Sequence, residues 1–335
     1  MEWENSMHKL VFCRALHADA MKLLEARSDL DVKILTTAFR GPPMQKELEA
    51  EIKTADGVMI GLEKIRADML ESAPQLRTIS RFGVGFDNID IPAATRQRVV
   101  VGVVNGANDL SVAEHTMMLM LAVARRTLEM DASVRNGTWM LLEGRRMREL
   151  AGRRILIFGY GRIGTRVARL CQAFGMHTIV HDPAFPTPRL AADGHEPAPD
   201  PMEFLPTADV VSLHCPLDDK TRGMVNADFL GRMKPESWLI NTARGGLVDE
   251  AALVEALRNR RIEAAGIDVL VQEPPNPEHP LFKLDNVVLA PHNAAAPWEC
   301  YRKMSLRAVH NVLDAIDGRI DPGYVVNPEV LGRNV

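Results

Sequence analysis

Disulfide or metal scaffolding is the first thing missing from this chain. Its four cysteines (Cys13, Cys171, Cys215 and Cys300) are scattered through 335 residues, with no C-x-x-C pair and no zinc-ligand spacing. They read as reduced thiols, so no disulfide framework and no metal site is expected. Charge of one sign is also missing. A formal net charge of −4 gives no electrostatic reason to expect nucleic acid or a membrane surface as partner. No apolar run approaches the ~18 residues a membrane-spanning helix needs. The opening MEWENSMHK lacks the basic-then-apolar form of a secretion signal. Internal repeats and low-complexity segments are absent too. These absences together predict a soluble, cytoplasmic protein.

What is present is ordinary globular composition, 46% hydrophobic and 25% charged, at a length that exceeds what one core usually serves. Two domains are therefore expected. The chain is organised around residues 153–182, RRILIFGYGRIGTRVARLCQAFGMHTIVHD. An apolar run at 155–158 leads into Gly159-x-Gly161-x-x-Gly164. A segment with Ile163, Val167 and Leu170 on one helical face follows, then a second apolar run at 178–180 ending at Asp182. Strand, glycine turn, helix, strand and acid make the unit that binds a dinucleotide. Gly159 allows the tight turn, Gly161 lets backbone approach a pyrophosphate, and Gly164 lets helix and strand pack closely. Helix-start N–H groups of Arg162 and Ile163 are expected to face the phosphate charge. Asp182, 18 positions past Gly164 (182 − 164), suits a ribose 2′-hydroxyl and repels a 2′-phosphate. NAD is thus expected rather than NADP.

Short apolar runs at 10–13, 32–35, 57–60, 78–82 and 99–104 alternate with helical spacing at 18–27, 45–55, 67–72 and 91–98. That alternation predicts βαβ units and a parallel sheet covered on both faces. The turn at 81–88, RFGVGFDN, follows a strand. It is either a plain tight turn or a nest of N–H groups offered to an anion. Residues 108–126 predict one long helix, capped by Asp109 or Ser111 with Glu114 completing a capping box. Its Met/Leu stripe is apolar nearly all round and must be buried against core, a domain or a subunit. Five arginines, Arg145, Arg146, Arg148, Arg153 and Arg154, read as a solvated connection, and 183–201 as a surface loop. Strand-like runs at 209–215, 238–242, 264–269 and 287–290, with helices at 227–233 and 250–258, predict a second doubly wound sheet, Rossmann-like. A last long helix spans about 297–317, before an irregular tail.

Three polar residues stand just past predicted strand ends, where open α/β sheets hold their ligands. Arg244 precedes Gly245-Gly246, Glu273 follows the run that ends at Val269, and His292 follows Pro291. Arginine grips a carboxylate bidentately and polarises a neighbouring carbonyl. Histidine moves one proton near neutral pH, and a carboxylate on its other ring nitrogen fixes the tautomer. Beside a nicotinamide these parts suffice to pass hydride to or from C2 of a 2-oxo or 2-hydroxy acid. Singly, each also suits a salt bridge, a loop charge or a core histidine.

The chain resembles the D-isomer-specific 2-hydroxyacid dehydrogenases along nearly its whole length. The carriers are RFGVGFDNID (81–90), SVAEHT (111–116), GYGRIG (159–164), INTARGGLVDE (240–250), the 266–274 stretch with GIDV and QEP, and His292 with its neighbours. The resemblance implies Arg244, Glu273 and His292 as catalytic residues: Arg244 orienting the substrate, His292 as acid/base, Glu273 as its partner. It implies main-chain N–H groups of Val84 and Gly85, with Arg244, for the substrate carboxylate. For NAD it implies Val84, Gly159, Gly161, Arg162, Ile163, Gly164, Asp182, Cys215, Thr242, Ala243, Asp268 and His292. The implied architecture is α/β. A Rossmann NAD-binding domain at 108–297 is inserted into a flavodoxin-like substrate domain at 1–107 plus 298–335, and the subunit forms a homodimer through the inserted domain.

Two departures bear on the transfer. The family often reads PH-x-G-G-x-T, whereas this chain reads PHNAAAP, so the loop after His292 is expected to sit differently, with Trp298 shaping the pocket. Phosphoglycerate-acting members tend to carry an Arg after the third strand. Here Gly61-Leu62-Glu63 stands there, which disfavours a phosphorylated substrate. Side-chain choice at C3 is expected to rest on residues around Leu62 and Trp298. The chain also ends short of the serine-sensing C-terminal domain that some relatives carry. A rival reading is an NAD-binding sensor or corepressor without turnover. Within the enzyme class, Glu273 disfavours formate, since the family's formate enzymes carry an amide there.

Overall fold

The computed structural model describes residues 7–35, 42–139 and 147–332. It divides into two units: residues 1–108 with 296–335, and residues 109–295, which interrupt the first in the chain.

The first unit is built on β1 (His8–Phe12), β2 (Leu30–Ile34), β3 (Gly57–Ile60), β4 (Thr78–Arg81) and β5 (Val100–Val103). All neighbours pair in parallel, in the order β2-β1-β3-β4-β5. That order is flavodoxin-like, and its sequence change falls between β1 and β3. Strands such as β3 (GVMI) and β4 (TISR) are buried throughout, because helices cover both faces. The crossovers are α1 (Ala18–Glu25), α2 (Pro42–Glu51), α3 (Ala67–Glu71) and α4 (Ile91–Arg96). Asp90 caps α4 through the N–H of Ala93 at 2.9 Å, and a proline follows at the second helical position.

The second unit opens with α5 (Asp109–Arg125) and α6 (Thr127–Arg135), then β6 (Arg154–Phe158), α7 (Arg162–Ala173), β7 (His177–His181), α8 (Thr187–Ala192) and β8 (Glu196–Pro197). It continues with β9 (Val210–Leu213), α9 (Ala227–Arg232), β10 (Trp238–Asn241), α10 (Glu250–Arg258), β11 (Ala264–Ile267) and β12 (Val287–Leu289). Its seven strands are all parallel, in the order β12-β11-β10-β9-β6-β7-β8. Numbered from β6 this is the doubly wound dinucleotide order with one added strand, and its switch point lies between β6 and β9. The apolar stripe of α5 packs on α7 and on the sheet. Gly266 permits this, since a Cβ there would sit 3.1 Å from that of Leu119.

The final helix α11 (Trp298–Ile316) belongs to the first unit and lies on β3, β4 and β5. Val312 presses on Gly57, and Asn311 donates to the Val103 carbonyl at 3.0 Å.

Four expectations need correction. The long helix itself stands where expected, Asp109–Arg125, stopping where Arg126 turns left-handed (φ 50°), but its capping does not. Because it begins at Asp109, both Asp109 and Ser111 lie inside its first turn instead of capping it. The 183–201 stretch holds α8 and the two-residue β8. The arginine-rich connection is anchored: Arg153 and Arg154 pair with Asp209 (3.4 Å) and Glu196 (3.2 Å). Arg145 and Arg146 lie outside the described residues. The tail is not wholly irregular either, for Asn327 bonds the edge strand β5 through the Val101 N–H and the Val99 carbonyl, both at 2.9 Å.

Candidate active site

The glycine turn lies between β6 and α7. Gly159 has φ 93°, a conformation side chains other than glycine's rarely adopt. A Cβ on Gly164 would overlap the Gly159 carbonyl, whereas at Gly161, which caps α7, it would meet open space. The turn is thus closed where helix meets strand and open where a ligand would approach. N–H groups of Arg162 and Ile163, in the first turn of α7, have no carbonyl one turn earlier to bond. Asp182 ends the next strand and folds over the turn, its carboxylate accepting from Tyr160 N–H at 2.7 Å and Ala184 N–H at 2.9 Å. Cys215, just past β9, has its thiol pushed up to about 12, mainly by burial, with the charges of Asp218 and Asp182 adding to it. It is a neutral, weakly reactive wall. This cradle fits a dinucleotide pyrophosphate and ribose.

Sequence reasoning missed what lies behind the turn. Tyr160, between the first two glycines, bonds buried His195 through its hydroxyl at 2.8 Å, and His195 bonds Thr178 Oγ1 at 2.7 Å. Burial lowers the His195 pKa, so the ring is held neutral.

Past β10, the Thr242 hydroxyl lies 2.8 Å from Thr116 Oγ1, whose own proton goes to the Val112 carbonyl. Thr242 therefore donates inward, leaving its main chain for any ligand. Asn241 ties the next turn, accepting from Ala243 N–H (3.0 Å) and donating to the Arg244 carbonyl (2.9 Å). A Cβ on Gly245 would collide with the main chain of Leu270, so the loop bearing Arg244 packs directly on the loop that leads to Glu273.

Glu273 and His292 meet. Oε2 of Glu273 is 2.6 Å from Nδ1 of His292, while Oε1 accepts from Leu270 N–H at 3.0 Å. With Nδ1 engaged, Nε2 is the ring nitrogen left to exchange a proton. His292 itself is left-handed (φ 52°), held by its N–H on the Asp268 carbonyl at 2.7 Å. Asp268, 2% exposed, also accepts from Asn293 N–H (3.0 Å) and Ala294 N–H (3.3 Å). Thus Arg244, Glu273, His292, Thr242, Ala243 and Asp268 all fall on loops at the C-terminal ends of β10, β11 and β12.

Val84 and Gly85 belong to the other unit, on the turn after β4. Among the described residues no acceptor meets either N–H. Beneath the turn, the buried Arg81 guanidinium donates to the Phe82 carbonyl and occupies the space a Cβ on Gly83 would need. The turn thus offers two N–H groups without an acceptor, with a buried guanidinium beneath them. Glu63, 9% exposed, turns its carboxylate into its own loop, accepting from Gly61 N–H at 2.6 Å. Trp298 is largely exposed and stands edge-on to His17, ring centroids 4.7 Å apart. Among the described residues no cluster of His, Cys, Asp and Glu could hold a metal ion, and no helix is long and apolar enough to cross a membrane.

This geometry accompanies close sequence likeness. The family model for the D-isomer specific 2-hydroxyacid dehydrogenase, NAD binding domain, matches residues 117–294. The chain is 38% identical to a glyoxylate reductase of Aeropyrum pernix, covering 95% of each protein. It is 36% identical to a D-3-phosphoglycerate dehydrogenase of Methanocaldococcus jannaschii, covering 97% of this chain but only 60% of that protein's length. The structure of D-lactate dehydrogenase from Aquifex aeolicus, complexed with NAD and lactic acid, superposes with a TM-score of 0.85 at 28% identity, over 95% of this chain and 99% of that one. The chain belongs to the D-isomer specific 2-hydroxyacid dehydrogenase family, and residues 117–294 are its NAD-binding domain.

Proposed function

We propose that this chain is an NAD-dependent oxidoreductase that interconverts a small D-2-hydroxyacid and its 2-oxoacid. The observation that carries the reading is the 2.6 Å contact of His292 Nδ1 with Glu273, which commits one ring nitrogen and leaves the other for substrate. In the reducing direction, His292 gives a proton from Nε2 to the carbonyl oxygen at C2. Glu273 fixes the ring's tautomer and orientation. Arg244 grips the substrate carboxylate and polarises the carbonyl, and Val84 and Gly85 donate their N–H groups to the same carboxylate.

NAD is held by Gly159, Gly161, Arg162, Ile163, Gly164 and Asp182 at its phosphates and ribose. Val84, Cys215, Thr242, Ala243, Asp268 and His292 line the rest. When bound, it supplies or takes up the hydride at C2. Asp182, already between two N–H groups, favours the 2′-hydroxyl of NAD over a 2′-phosphate. Glu63 disfavours a phosphorylated substrate, and Leu62 and Trp298 select the side chain at C3. The protein works in the cytoplasm as a homodimer formed through the inserted unit. Exposed Leu110 and Met118 of α5, with Leu128 and Val134 of α6, support that surface.

The test is NADH consumption with glyoxylate, hydroxypyruvate, pyruvate and longer 2-oxoacids. Turnover of at least one is expected, with the D-hydroxyacid as product for every acid but glyoxylate, whose product is achiral. Tight NADH binding without turnover of any would overturn the proposal in favour of a sensor.

A further inference from the structure

His292 sits in a backbone conformation that a histidine does not hold on its own, φ 52°. What keeps it there is Asp268, which bonds three consecutive N–H groups: its carbonyl takes that of His292, and its two carboxylate oxygens take those of Asn293 and Ala294. This clamp is strongest while the carboxylate is ionised, when both oxygens act as acceptors only and their bonds are charge-assisted. Yet the side chain is 1% exposed, and burial alone drives a carboxylate toward its neutral form.

The compensating group comes from far away in sequence. Nε2 of His115, on α5, lies 3.2 Å from Asp268 Oδ1. Burial, the largest effect, pushes the Asp268 pKa up, but His115, the Asn293 N–H and the nearby His292 ring together hold it below the ordinary carboxylate value. His115 is the one side chain among these that lies outside the loop being held.

We infer that His115 is a positioning residue for His292, acting through Asp268 as the polar side chain whose Nε2 meets its buried carboxylate. The inference rests on the proton-transfer role proposed above for His292, but its structural part stands apart from turnover. Among the described residues no hydrogen bond or ion pair joins His115 to His292. Its contact with the carboxylate keeps Asp268 charged, Asp268 keeps residues 292–294 in place, and the imidazole stays aligned on Glu273. Asp268 is thus committed to the protein's own loop, beyond the contact with NAD expected of it.

The experiment compares His115→Leu, which removes the polar contact, with His115→Gln, whose amide restores a polar group at similar reach. In cofactor-free protein labelled with ¹⁵N-histidine, the His292 ring signals, assigned with His292→Gln, are followed alongside thermal stability. Kinetics with NADH and a 2-oxoacid follow. His115→Leu is expected to shift the His292 signals and to lower kcat by roughly tenfold or more, as small misplacements of a reacting group do, with much less change in KM. His115→Gln is expected to recover most of both. Wild-type His292 signals and kcat in His115→Leu would overturn the inference, and so would equal loss in His115→Gln, which would make the effect one of shape alone. Should the wild-type protein turn over no 2-oxoacid, the proposed function fails while the spectra still decide the role of His115.

Discussion

His292 and Glu273 stand 19 positions apart in the chain yet share a 2.6 Å contact between Nδ1 and Oε2. Because Oε1 of the same carboxylate is fixed by Leu270 N–H, the glutamate has little freedom to turn away. Replacing it by the isosteric amide tests whether charge or shape matters. Glu273→Gln is expected to fold normally and to lose about 100-fold in kcat, within the usual span for impaired acid–base catalysis. An unchanged kcat, measured in steady state with NADH, would remove Glu273 from the proton path.

The glycine turn yields a contrast within one motif. Gly161 faces open space with φ −70°, so Gly161→Ala is expected to leave the melting temperature unchanged and to weaken NADH binding by obstructing the pyrophosphate. Gly164→Ala would press a methyl into the Gly159 carbonyl, and is expected to lower the melting temperature as well. Thermal melts paired with fluorescence titration of NADH separate the two outcomes.

Asp182 is the proposed discriminator between NAD and NADP. Asp182→Ser is expected to raise the KM for NADH and to narrow its advantage over NADPH, because the negative charge that repels a 2′-phosphate is gone. Equal ratios of kcat/KM for the two cofactors in mutant and wild type would contradict this.

Two histidines tie stability to pH. Burial lowers the pKa of His195, and takes that of His214 down to about 3. Both are neutral in the folded protein, while the unfolded chain binds their protons near pH 6.5. The unfolded state therefore gains protons first as pH falls, so stability is full above about 6.5 and declines below it, toward about 3 for His214. Between pH 7 and 5 each such histidine removes at most about 2 kcal/mol. Chemical denaturation across that range should show a smaller decline in His214→Gln, and an identical slope would refute the assignment.

Much of the fold was legible because both sheets are parallel and buried on each face. Their strands therefore stand out as short apolar runs separated by helical spacing. Gly159, Gly161, Gly164 and Asp182 were legible because turn, approach and packing each demand a residue type at a fixed offset. Helix α6 was not, since it buries only Ser133 and so presents no apolar stripe for spacing to reveal. Two-residue β8 is too short for periodicity to register. His115 and Asp268 lie 153 positions apart (268 − 115), so only the packing of α5 on β11 brings them together. Tyr160 and His195 were hidden for the same reason, each looking like an ordinary loop or core residue until the fold joined them.

One measurement bears most directly on the central claim that His292 passes a proton to the substrate while NADH gives up its hydride. It is the single-turnover rate of NADH oxidation by wild type and His292→Gln, with a 2-oxoacid the wild type reduces, after confirming that both bind NADH equally. A rate at least about 100-fold slower in His292→Gln is predicted. Equal rates would contradict the account.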